Sequence, residues 1–263
     1  MLNRNFIGQV PVRVPPVNEQ RAIAEVLGAL DDKIAANHRT AGGADALAMS
    51  LFDQAVRGIA FGPDEFADVA EVGGGGTPST KVPEYWDGSI AWAAPTDVTR
   101  LPGPYLFETA RSLTPAGLAS CASPVYPEGA VLMTSRATVG AFALAQRPVA
   151  VNQGFIVVFA PDPDTRMWLF HEMRSRVPEF LNHANGATFL EPVEAASAVY
   201  RSASLTALAA PSSGHERRHF TPQPQPPLAE NLRLTRLRDT LLPSLMSGRL
   251  RVRDAESVVS DAL

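Results

Sequence analysis

Pro15-Pro16-Val17-Asn18-Glu19-Gln20-Arg21-Ala22-Ile23 opens the stretch whose reading decides the fold. The Pro-Pro pair forbids helix behind it, and Glu19 falls where the positive end of a first helical turn favours a carboxylate. Apolar or small residues follow at Ile23, Leu27, Leu30, Ile34, Ala41, Ala44, Ala48 and Leu51, with Asn37 as the one polar member of the series. The steps alternate between four and three, a heptad seam made to lie against another helix. An amphipathic helix on an ordinary core shares that spacing but not this length: about 40 residues at a rise of ~1.5 Å reach about 60 Å. Gly42-Gly43 sits inside the series at about 1 kcal/mol per glycine relative to alanine, so a weak point or bend is expected there.

A seam needs a partner, and the C-terminal part of the chain supplies one. Pro226-Pro227-Leu228-Ala229-Glu230 repeats the Pro-Pro-apolar-x-Glu opening, and Leu234, Leu237, Leu241 and Leu245 follow at helical spacing. The endings align without gaps, Ser50-Leu51-Phe52-Asp53-Gln54-Ala55-Val56-Arg57-Gly58 beside Thr240-Leu241-Leu242-Pro243-Ser244-Leu245-Met246-Ser247-Gly248. This is the pattern of an internal repeat with a different domain inserted between its copies. The first copy, Pro16–Gly58, is longer than the second, Pro227–Gly248, by about three heptads. The second helix therefore covers about half of the first, and apolar seam around Gly42-Gly43 and beyond is expected to lie exposed.

Ahead of the long helix, Phe6-Ile7-Gly8-Gln9-Val10-Pro11-Val12-Arg13-Val14 alternates like a short strand. Behind it, Phe66 to Val72 leads into Gly73-Gly74-Gly75-Gly76-Thr77-Pro78-Ser79-Thr80-Lys81. A nucleotide phosphate loop is excluded, because the Gly-Lys-Ser/Thr ending is absent. The run reads as a flexible loop, either plain surface or one whose amides and hydroxyls can approach a phosphate backbone. Trp92 alternates with its neighbours as a core residue of a strand, whereas Tyr85 and Trp86 either pack under the polar loop or touch a ligand. Thr96 to Arg100 is a polar turn with one cation.

Val131-Leu132-Met133, Phe142-Ala143-Leu144, Val149-Ala150-Val151 and Phe155 to Phe159 are short apolar strands separated by turns. Arg136, between the first two, suits either a structural ion pair or a bidentate contact to guanine or phosphate. Asn152-Gln153 suits either a turn capping its own backbone or an adenine edge. Trp168 to Phe189 recurs at helical spacing. Pro192 to Gln225 has neither alternation nor a long helix, and is expected to be disordered or poorly packed.

Composition narrows the function. A formal charge of −4 over 263 residues argues against a generally basic nucleic-acid binder, so any such contact must be local. Cys121 is the only cysteine, which excludes a disulfide framework and a zinc cluster and fits a reducing cytosol. No signal peptide or membrane-length apolar run is present. Catalytic motifs are missing too. His171-Glu172 has no second histidine four residues on, the histidines are scattered, and Asp162 and Asp164 lack the further acid and lysine of a nuclease site.

Four segments in this order resemble the specificity subunit of type I restriction–modification enzymes: PPVNEQRAIAEVLGALDDKIAANHR (15–39), GGGGTPSTKVPEYW (73–86), SRATVGAFALAQRPVAVNQGF (135–155) and LRDTLLPSLMSGRLRV (237–252). The resemblance implies an α+β fold, in which a mixed target recognition domain is carried on a long N-terminal and a shorter C-terminal helix that pair as an antiparallel coiled coil. It divides the chain into 1–14, a strand ending a first recognition domain that precedes the chain; 15–58, the long spacer helix; 59–191, the recognition domain; 192–225, an irregular segment, shifted in frame or replaced by unrelated sequence; and 226–263, the second spacer helix and tail.

The implied function is non-catalytic recognition of double-stranded DNA in the cytoplasm, without a cofactor, alongside methyltransferase and motor-nuclease subunits. Thr77, Ser79, Lys81, Tyr85, Trp86, Arg100 and Arg136 are then the candidates for DNA contact. Ile23, Leu27, Leu30, Ile34, Leu234, Leu237 and Leu241 are the helix-pairing residues. One recognition domain reads half of a two-part target, so two copies are expected to pair through the seam around Ile23, Leu27, Leu30 and Ile34. Two other readings stay open: a helical scaffold whose β-rich domain binds another protein, and an inactive truncated specificity subunit.

Overall fold

The segment read as a strand at Phe6–Val14 opens instead as one helical turn, α1 (Arg4–Ile7). Asn3 Oδ1 accepts the Phe6 N–H at 2.9 Å, which caps a helix, and no strand among the described residues lies alongside to pair with an extended chain. Alternation alone does not make a strand without a neighbour. This computed structural model describes residues 3–12, 14–136, 138–186 and 226–263; the expectation of disorder over Pro192–Gln225 lies outside them.

After Pro15-Pro16 the chain is helical from Val17 to Val56, a single element of 40 residues (α2). Gln20 closes its first turn, donating its backbone N–H to Pro16 O at 2.9 Å and its side-chain amide to Pro15 O at 2.7 Å. Gly58 ends it in the left-handed region, at φ +79°. The aligned Gly248, behind the C-terminal helix α8 (Pro226–Met246), has φ +69°. Both copies of the repeat thus stop by the same device.

The chain forms two compact units, Met1–Ala41 with Gln225–Leu263, and Gly42–Pro224. The boundary falls at the Gly-Gly pair expected to be a weak point, although helix continues through it. A Cβ at Gly42 or Gly43 would meet nothing within 4 Å. Gly42→Ala and Gly43→Ala are therefore each expected to raise stability by about 0.5–1 kcal/mol. Urea denaturation of the single variants checks this, and a loss of stability would mean the pair is needed flexible.

In the first unit Leu30, Leu234 and Leu245 are fully buried, with Ile23, Val26 and Leu241 around them. The pairing is antiparallel: Asn37 donates its amide to Asn231 Oδ1 at 2.8 Å, Asn231 donates to Ile34 O at 3.2 Å, and Arg238 meets Asp31 at 2.7 Å. The single polar member of the seam is therefore matched by a second buried asparagine, which sets the register of the pair. A further helix, α9 (Val252–Ser260), not read from the sequence, seals the cluster with Ala255 and Val259. The seam expected to join two copies is filled by the chain's own helices α8 and α9.

The second unit begins with the rest of α2. Here the buried face moves on by one position: Leu51 is exposed and Phe52 is buried against Trp168 (ring centroids 4.8 Å apart), while Asp45 holds Arg174 bidentately at 2.7 and 2.8 Å. The expectation of a bare seam in this half is therefore corrected in part, since one face is covered and Leu47 and Leu51 remain outside.

Trp168 and Arg174 lie on α6 (Pro163–Ser175), which starts where Asp162 caps the Thr165 N–H at 2.7 Å and is followed by α7 (Val177–Gly186). The stretch read as helix from Trp168 is thus two helices as far as Gly186, with the break at Arg176; 187–189 lie outside the described residues. That buried guanidinium is held by Glu179 through two 2.8 Å bonds and lies over Phe61 and Phe66.

His171, also on α6, is buried between Phe52 and Phe170, with Nδ1 3.3 Å from Met49 Sδ. Burial, followed by the Arg174 charge, pushes its pKa down to about 4, against smaller opposing pulls from Asp45 and Asp53. Between about pH 6.5 and 4 the unfolded chain takes up the proton and the folded chain does not, so stability falls as pH drops through that window, by at most about 3 kcal/mol. His171→Phe is expected to flatten this acid slope in pH-dependent urea midpoints; an unaltered slope would show that the buried ring is not its source.

The described strands form two sheets. Reading across the first, the order is β1 (Glu71–Gly73), β8 (Phe155–Phe159), β5 (Val131–Thr134), β6 (Phe142–Ala145) and β3 (Tyr105–Leu106). Across the second it is β4 (Arg111–Leu113), β2 (Trp86–Ala93) and β7 (Val149–Val151), with β2 and β7 parallel. The apolar runs read between Val131 and Phe159 supply β5 to β8, and Leu132, Ala143, Val151 and Val157 have no or almost no exposed surface.

Candidate nucleic-acid interface

Register brings four connections to one end of the sheets. Thr134 pairs with Phe155, Gly73 with Val157 and Ala93 with Val151, so the segments leaving β1, β2 and β5 all emerge beside the Asn152–Gly154 turn. The contacts agree. Asn152 donates its N–H to Ala93 O at 3.0 Å, Ser135 donates to Gly154 O at 2.8 Å, and the Thr77 hydroxyl bonds to the Gln153 amide. Asn152 Oδ1 accepts the Gly154 N–H at 2.8 Å, the side-chain cap that its residue type allowed, so the amide oxygen is occupied within its own turn.

The glycine run is held rather than flexible. A Cβ on Gly75 would stand 1.9 Å from Val151 O, and that same oxygen accepts the Gly76 N–H at 3.0 Å. Tyr126 donates its hydroxyl to Gly74 O at 2.6 Å; burial, then the Glu71 charge, raises that phenol to about 12 and keeps it a donor. From beneath, Trp92 donates its indole N–H to Gly76 O at 3.1 Å and Trp86 donates to Ser79 O at 3.2 Å. The expected offer of backbone amides to a phosphate is corrected at Gly76, whose N–H is engaged in the fold.

The predicted contact residues divide. Thr77, Ser79, Lys81, Arg100 and Arg136 are exposed on the connections that leave β1, β2 and β5, and Arg136 has no ion-pair partner among the described residues. Trp86 is 6% exposed, edge-on to Trp92 at 5.1 Å, so it cannot face a duplex; Tyr85 is half-buried against the same cluster. Trp86 supports the Gly74–Lys81 loop through its bond to Ser79 O.

Sequence reading missed Arg111. Cross-strand pairing sets it opposite Trp92, and its guanidinium lies 3.3 Å over the Trp86 ring while the residue stays exposed. Nothing local marks it, because the pairing joins strands separated by a connection of irregular length. Nearby, the Asp97 carboxylate is occupied by the Ala94 and Ala110 N–H groups at 2.8 and 3.0 Å.

A mixed two-sheet unit that carries hydroxyls, an amide and exposed cations on its connections, with one loop stapled from below, offers groups that can meet a polyanion. Residues 64–190 match the type I restriction modification DNA specificity domain. The type I restriction enzyme MjaIX specificity subunit of Methanocaldococcus jannaschii is 36% identical over 126 residues, covering 47% of this chain and 29% of that one. This chain thus spans under a third of that relative's length. Among solved structures, an HsdS subunit from Thermoanaerobacter tengcongensis aligns at 18% identity and a TM-score of 0.38, over 94% of this chain and 59% of that one. A type I restriction–modification S subunit from M. genitalium aligns at 11% identity and a TM-score of 0.47, over 94% and 60%.

Proposed function

We propose that this chain is a DNA-specificity subunit of a type I restriction–modification complex, with one target recognition domain at 59–191 between spacer helices at 15–58 and 226–263. It reads duplex DNA and directs methyltransferase and motor-nuclease subunits that carry the chemistry, in the cytoplasm and without a cofactor of its own. The observation that carries this reading is the specificity-domain match at residues 64–190, which falls on the unit whose connections expose Thr77, Lys81, Arg100 and Arg136. Among the described residues no helix is long and apolar enough to cross a membrane. Band-shift titration of a duplex library, with and without a type I methyltransferase subunit, tests it. Enrichment of one sequence class, strengthened by the methyltransferase, is the expected result. Absence of duplex binding in both arms would overturn it in favour of a protein-binding scaffold or an inactive subunit.

A further inference from the structure

Among the described residues four arginines of the second unit lie over aromatic rings, and three of them have their N–H groups engaged by the protein. Arg166 donates to Glu128 O and Pro161 O, Arg174 is held by Asp45, and Arg176 by Glu179. Arg111 differs: among the described residues it has no hydrogen-bond or ion-pair acceptor for its guanidinium. At 3.3 Å from the Trp86 centroid the group lies flat on the ring, so one face is covered and its N–H edge is left to solvent. Its position is fixed twice, through pairing with Trp92 and through Thr109, whose hydroxyl donates to Arg111 O at 2.7 Å. Trp86, on which it rests, also holds Ser79 O, which places Arg111 beside the Ser79–Lys81 end of the loop.

We infer that Arg111 is a preset phosphate-binding residue: its guanidinium, laid on Trp86, takes a backbone phosphate of the duplex. This rests on the DNA-reading function proposed above. A guanidinium pressed flat against its own sheet does not project into a groove, whereas a phosphate backbone runs along the protein surface and accepts from an in-plane N–H edge. Stacking fixes the fork before the ligand arrives, so little side-chain freedom is lost on binding.

The test is the salt dependence of binding by the full chain and by Arg111→Gln, on an AT-rich and a GC-rich duplex. The expected result is roughly tenfold weaker binding of both duplexes by the variant, with the log–log salt slope shallower by about 0.9, one phosphate contact. A merely structural cation on Trp86 would leave the slope unmoved and lower only the urea midpoint; that outcome overturns the inference. Loss confined to the GC-rich duplex with an unchanged slope also overturns it, making Arg111 a base reader. If the wild-type chain binds neither duplex, the DNA-reading function falls first and this inference with it.

Discussion

Gly75→Ala is expected to lower the stability of the second unit by about 3 kcal/mol and to abolish duplex binding while leaving most secondary structure in place. The added Cβ would stand 1.9 Å from Val151 O and 2.6 Å from Val151 C, backbone atoms that a rotamer change cannot move. Val151 is locked in turn, its N–H donating to Ser123 Oγ at 3.0 Å and its strand paired with β2 at Ala93. The loop must therefore lift, breaking the Gly76-to-Val151 bond and drawing Ser79 and Lys81 away from the tryptophans beneath them. The same substitution at Gly42 or Gly43 has the opposite sign, because no atom stands in the way. Paired urea denaturation curves followed by tryptophan emission separate the two sites. A Gly75→Ala protein with the wild-type midpoint and salt slope would mean the loop is as loose as its glycine content suggests.

Leu30→Asp is expected to detach the C-terminal helices. Leu30 has no exposed surface and packs in the cluster of Leu234, Leu245 and Ile23. Removing the leucine forfeits about 2–5 kcal/mol of packing, and the carboxylate must be buried unpaired or titrated to its neutral form at a further cost of several kcal/mol. A seam of this size does not survive that. Hydrogen exchange should show α8 and α9 losing protection together, because both close on the same cluster, while the β-sheets exchange as in the wild type. Retained protection from Leu228 to Leu245 would rule out Leu30 as the centre of the pairing. A second outcome bears on assembly: because the seam is filled within the chain, the wild-type protein should not depend on Leu30 for any self-association.

What periodicity can carry was readable. The four-three spacing from Ile23, the Pro-Pro openings, the terminal glycines and the apolar runs between Val131 and Phe159 each act over a few neighbouring residues, and each marks the element found there. The reading of Phe6–Val14 failed because alternation is a strand signal only when another strand is near. The bare seam past Gly43 failed at Phe52 because α6 comes from more than a hundred residues away to cover it. Nor could Trp86 be assigned inward, or Arg111 found at all, from their own surroundings: the one depends on Trp92 and Ser79, the other on the cross-strand partner that sets it over the ring.

The sequence by itself thus determined the long helix, its partner helix and the apolar strands between Val131 and Phe159, since helix and strand propensities, caps and breakers are local. Only tertiary structure decided which face of α2 is buried beyond Ala41, that the glycine run is a close-packed staple, and that Arg111 is laid on the Trp86 ring with its N–H groups unengaged. Those depend on which backbone lies opposite. The oxygen of Val151 against Gly75 is the clearest instance, since a glycine's own neighbours say that it can bend but not what it must make room for.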